Sequence, residues 1–105
     1  MPESCKASGE IDLAAGPAFN VSLRAAIDCS EEAFVSVDCA GVTFMDSAGF
    51  HVLADATRYA ATRGHTLVIR NASRPCARLI ALCDWDRVLR VECLPARPVQ
   101  GATIR

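Results

Sequence analysis

Asp46, Ser47 and His51 bring an acid, a hydroxyl and an imidazole within six residues, in the stretch Thr43-Phe-Met-Asp-Ser-Ala-Gly-Phe-His51. A strand-like apolar run leads into Asp46-Ser47-Ala48-Gly49, and a helical pattern begins at once behind it. Four chemistries use a serine placed this way. As a helix cap, Ser or Asp accepts hydrogen bonds from free backbone N–H groups, worth about 1 kcal/mol. A hydrolase elbow needs Gly-x-Ser-x-Gly, and Met45 stands where the first glycine belongs. Asp46, Ser47 and His51 are triad types, but neighbours on one short turn cannot place the acid behind the base. A nucleotide cradle needs several glycines and a lysine, whereas the one lysine here is Lys6, far upstream. The fourth chemistry is phosphate acceptance. A phosphate on Ser47 would sit at the positive end of a helix. It would add roughly −1.5 to −2 charges beside Asp46, so a partner covering that surface would be expelled while the domain stayed folded.

The elements that must position this serine follow from periodicity. Gly9-Glu10-Ile11-Asp12 precedes a helix with Pro17 in its first turn and Phe19, Leu23, Ala26 and Ile27 on one face. Ala33 to Cys39 is a short strand, rich in β-formers. After Ser47, the residues Val52, Leu53, Ala56, Tyr59 and Ala60 recur at helical spacing until Gly64 stops the run. Thr66 to Arg70 is a buried strand; Ser73 and Pro75 then open a helix with Leu79, Ile80 and Leu82 on its apolar side. Arg87 to Cys93 is a further strand. Residues 1–8 read as a loose leader, 9–94 as the single domain and 95–105 as a Pro-containing tail. Strands alternating with helices predict an α/β fold whose sheet is mixed but largely parallel, with helices packed on it.

Composition narrows the function classes. A chain with 51% apolar and 22% charged residues is globular, and 105 residues make room for one domain. Eleven basic against twelve acidic side chains give no electrostatic draw toward nucleic acid or an anionic membrane. No run approaches the roughly 20 apolar residues of a membrane span, and the acidic first residues do not resemble a secretory signal. The expected location is the cytoplasm. The six cysteines (5, 29, 39, 76, 83 and 93) then read as thiols, mostly small buried hydrophobes. Their spacing has no Cys-x-x-Cys pair, so neither a redox motif nor a zinc site is expected, and no cofactor. Cys76 and Cys83 lie about 10 Å apart on a helix, beyond the roughly 7 Å that a disulfide spans; Cys29, Cys39 and Cys93 stay open to pairing.

Val35 to Val91 resembles STAS domains, the anti-sigma factor antagonists of bacteria. The residues that carry the likeness are Asp38, Val42, Phe44, Asp46, Ser47, Gly49, Gly64, Asn71, Ser73 and Leu79, with Gly9-Glu10-Ile11-Asp12 upstream. The resemblance implies a non-enzymatic switch. Ser47 would be the phosphoacceptor of an anti-sigma factor that is itself a serine kinase, and a PP2C-type phosphatase would reset it. Asp46, Ala48, Gly49, Phe50, His51 and Asp12 would form the partner-binding surface, with Gly49 letting the partner backbone come close. An alternative within the family is a STAS subunit of a membrane-associated, lipid-transport ATPase complex, with Ser47 only starting the helix. The family has one or two strands before Gly-Glu-Leu-Asp, where this chain has eight residues. Its N-terminal strands are therefore expected to be shortened or missing, leaving an open sheet edge for a homodimer or a partner.

Overall fold

The computed structural model describes residues 5–84 and 86–92. Strand and helix alternate without interruption: β1 (Cys5–Ile11), α1 (Gly16–Cys29), β2 (Phe34–Met45), α2 (Ser47–Thr62), β3 (Thr66–Arg70), α3 (Arg74–Cys83) and β4 (Arg90–Glu92). The sheet order is β1-β2-β3-β4, and each pairing is parallel. No antiparallel pair occurs among the described residues.

Each crossover steps one place in the same direction, and crossovers of this kind share one hand. All three helices therefore fall on the same face of the sheet, α1 packing on α2 and α2 on α3. Between the two layers lies the core. Phe19, Leu23 and Ile27 recur every four residues along α1 and point inward, and Leu53, Ala56 and Ala60, spaced three and four apart, point inward from α2. Val35, Val37 and Cys39 of β2 and Leu67 and Ile69 of β3 meet them from below. On the other face, Phe34 is 55% exposed, with the Arg90 guanidinium 5.7 Å from its ring centre, and Arg70 pairs with Glu92 at 3.5 Å.

Four expectations need correction. Residues 5–8 are not leader: Cys5 pairs opposite Val37, and β1 continues from there to Ile11. Among the described residues, the part of the sheet before α1 is the seven-residue strand β1. Its alternation of small and polar side chains carries no apolar signal, and pairing with β2 supplies what propensity does not. Register slips fall between Lys6 and Ser8 and between Gly9 and Glu10, with Gly9 at φ 76°; such bulges twist an edge strand out of line for further pairing. Second, β2 does not stop at Cys39 but runs through Gly41 to Met45. Gly41 keeps the strand going because β1 passes close by, with Ser8 Cβ 3.0 Å from where a β-carbon would stand. Third, β4 begins at Arg90, not Arg87; its described residues are Arg90–Glu92, and Cys93 lies outside the described residues. Fourth, Leu82 is 64% exposed. Cys76 and Ile80, one turn apart, are the buried pair of α3, with Leu79 half-buried, and two residues past Ile80 the helix has turned Leu82 away. The tail 95–105 also lies outside the described residues.

The five described cysteines are free thiols, but only Cys39 and Cys76 are buried; Cys29 is exposed, and Cys5 and Cys83 are half-buried. Cys39 and Cys76 meet across β2 and α3. The hydrogen bond to Cys76, and then burial, push the Cys39 thiol well up, and the same bond draws Cys76 down. No cluster of potential metal ligands occurs among the described residues. Nor is any described helix long and apolar enough to cross a membrane.

Candidate functional site

The end of β2 and the start of α2 are joined by one residue. Met45 is the last buried side chain of the strand, and Asp46 follows in an extended conformation as the N-cap of the helix. The Asp46 carboxylate oxygen Oδ1 accepts from the N–H groups of Ala48 (3.0 Å) and Gly49 (3.2 Å), and its carbonyl accepts from Phe50 (3.1 Å). Its own N–H reaches back to the Ile11 carbonyl at 3.4 Å. The acid therefore does the capping. Ser47, the first residue of α2, is exposed. Its hydroxyl has no hydrogen-bond partner among the described residues.

Gly49 fixes where this helix start lies. A β-carbon there would stand 2.6 Å from the Ile11 carbonyl oxygen and 2.8 Å from Met45 Cγ. Only the bare backbone fits against the ends of β1 and β2. That contact brings Asp12, the residue after β1, to the same end of the sheet as Ser47. The Asp12 carboxylate accepts from Ala15 N–H at 3.0 Å and its carbonyl accepts from Gly16 N–H at 2.9 Å, which closes the turn into α1.

Between the starts of α1 and α2 runs an open groove of about 520 Å³, walled by Leu13, Gly16, Pro17, Asn20, Ala48, His51, Val52 and Asp55. Leu13 stands 78% exposed at its rim. His51 is exposed, its ring edge-on to Phe50 with centroids 5.7 Å apart. Asp55 pairs with Arg58 at 3.5 Å.

The expected docking surface is thus brought together in part. Asp12, Asp46, Ser47, Ala48 and His51 share one end of the molecule. Gly49 and Phe50 do not belong to the surface: both are buried, Gly49 against Ile11 and Phe50 in the core. The glycine's small size serves an internal contact, because the strand end already occupies the space a partner would need. Leu13 and Val52 were not singled out from the sequence as site residues, Val52 being read only as a repeating position of its helix. Leu13 lies in the turn between β1 and α1, where no helical or strand period applies, so the sequence carried no signal for it. No hydrogen bond joins Ser47 to His51 among the described residues, and the Asp46 carboxylate faces N–H groups, so a nucleophile–base–acid relay is not assembled here.

A family model described as "Mlab, STAS domain" matches residues 4–92. No curated protein matches the chain. Among solved structures, a Thermotoga maritima protein provisionally assigned as an anti-sigma factor antagonist superposes with a TM-score of 0.69 at 12% identity, covering 87% of this chain and 80% of its own. The anti-sigma factor antagonist SpoIIAA in its unphosphorylated form gives 0.65 at 16% identity over 83% and 76%. A sulfate transporter family protein from Wolinella succinogenes gives 0.65 at 18% identity over 87% and 78%. Identities this low establish likeness of fold.

Proposed function

The chain belongs to the STAS domain family, and from that premise we propose that it is an anti-sigma factor antagonist that works by partner switching. In the unphosphorylated state it would bind an anti-sigma factor serine kinase through the end of the molecule that carries Ser47, Asp12, His51 and the Leu13 groove. The kinase would transfer phosphate to Ser47 and be released, and a PP2C-type phosphatase would restore the binding state. The cycle would run in the cytoplasm and involve no catalysis by this chain.

The observation that supports this most directly is the division of roles between Asp46 and Ser47. Because the aspartate takes the N–H groups of the first turn, the serine hydroxyl is exposed and uncommitted. Adding a phosphate disturbs no internal hydrogen bond, and the helix start tolerates negative charge. A partner packed over the same spot would have to bury that charge, at a cost of several kcal/mol. Likeness to two proteins described as anti-sigma factor antagonists agrees with this reading.

The test is incubation with the host's anti-sigma kinases and ATP, followed by phosphosite mapping. Phosphate on Ser47, with loss of the complex, is expected. A kinase that binds the chain but leaves Ser47 unmodified would refute it. A second reading draws on the family description and on the transporter-family likeness. In it the chain is a STAS subunit of a membrane-associated transport complex, and Ser47 is never modified. Recovery of an ATPase subunit in place of a sigma regulator would favour it.

A further inference from the structure

We propose that His51 is the intramolecular partner of a phosphate carried by Ser47, so that the charge presented by the modified surface depends on pH near neutrality. This rests on the reading of Ser47 as phosphoacceptor and names how the modified state is tuned.

Three observations converge. First, Ser47 and His51 are one turn apart on α2, both exposed. Side chains four apart share a face, and helical side chains lean toward the N-terminus, so His51 covers the turn in which Ser47 lies. Second, the imidazole stands exposed, edge-on to the buried Phe50 ring with centroids 5.7 Å apart. Third, among the described residues no competing cation lines the groove beside His51. The groove that His51 lines contains no lysine or arginine, and the nearest arginine on α2, Arg58, is matched to Asp55.

The acids around the imidazole are already engaged. Asp46 accepts from Ala48 and Gly49, Asp12 accepts from Ala15 in the turn before α1, and Asp55 pairs with Arg58. Of the α1 residues that line the groove (Gly16, Pro17 and Asn20), none carries a charge. A phosphate is thus the strongest anion His51 could meet. A phosphoserine's second ionisation lies near pH 6 and a histidine's near 6.5. The two would titrate together: the imidazolium favours the dianion, and the dianion favours the imidazolium. As pH rises through the histidine's ionisation the phosphate loses its counter-charge, and exclusion of the partner sharpens.

The test needs no kinase. The full chain is made with phosphoserine installed at position 47 during translation, and the phosphate is followed by phosphorus NMR against pH. The imidazole C–H signals of His51 are followed in modified and unmodified protein. At i,i+4 ion-pair strength, His51 should titrate roughly 0.15–0.4 of a unit higher when Ser47 is phosphorylated. In His51→Ala the phosphate's second ionisation should move up by a similar amount. Superimposable phosphate curves in wild type and His51→Ala, or an unchanged His51 titration, would overturn the proposal. Either outcome leaves the partner-switching cycle standing. Conversely, a kinase that ignores Ser47 would refute the cycle without touching this coupling.

Discussion

The α-carbon of Gly49 packs so closely on Ile11 that the Ile11 carbonyl oxygen would lie 2.6 Å from a β-carbon at that position. In an exposed helix, Gly→Ala gains up to about 1 kcal/mol from backbone entropy. Here overpacking, typically 1–3 kcal/mol, outweighs that gain. Gly49→Ala should therefore lower stability by roughly 1–2 kcal/mol, read as a drop in denaturant midpoint. A variant as stable as wild type would show that the strand end yields.

Asp46 and Ser47 should separate cleanly on substitution. Asp46→Ala leaves two first-turn N–H groups without their acceptor and should cost about 0.5–2 kcal/mol. Ser47→Ala removes a hydroxyl with no described partner and should change stability by less than about 0.5 kcal/mol. Equal losses in the two variants, measured by thermal melting, would mean the serine shares the capping.

Leu13 offers a test of the docking groove that leaves the fold aside. At 78% exposure, Leu13→Ser should leave the melting curve in place yet weaken binding of the cognate kinase by about tenfold or more, as loss of an interface anchor does. Ser47→Asp should also stay folded and lose affinity. Calorimetric titration with the purified kinase decides both.

Tyr59 ties α2 to α1. Its hydroxyl donates to Asp28 Oδ1 at 2.6 Å and accepts from Arg63 at 2.8 Å, while Arg24 stacks on the ring at 4.3 Å. Tyr59→Phe keeps the stacking and loses the hydrogen bonds, so a loss of about 0.5–1.5 kcal/mol is expected in urea unfolding. Tyr59→Ala should cost distinctly more.

The raised thiol of Cys39 gives a pH signature. Its hydrogen bond to Cys76, and burial, hold the proton in the folded state, whereas in the unfolded chain a thiol ionises near pH 8.5. Above that pH the unfolded state binds fewer protons, so this stability is present below pH 8.5 and falls as pH rises. Cys76, drawn down, opposes the trend in part. Cys39→Ala should flatten the decline between roughly pH 8.5 and 10. An identical slope in both proteins would rule the thiol out.

Much of the architecture was legible before any coordinates. Thr66 to Arg70 and the helix after Ser47 were readable because each is a continuous pattern at one period, apolar without break or recurring every three to four residues. β1 was not: Cys5, Lys6, Ala7 and Ser8 have little intrinsic preference, and they extend only because β2 offers a row of unpaired groups beside them. The Asp-Ser-x-Gly stretch was recognisable as a strand-to-helix junction, and Ser47 is exposed at it.

What local chemistry could not resolve was the direction each junction residue faces. Asp46 and Ser47 both suit a helix cap by type, and the backbone geometry gives the cap to Asp46. Gly49 suits close approach by any backbone, and the chain's own Ile11 fills that space. Leu13 gains meaning only beside Pro17 and Val52, which a turn and a second helix bring to it. Periodicity acts along the chain and is written in the residues themselves. Which neighbour occupies a given surface depends on how distant segments share space, and that is settled only when the layers close.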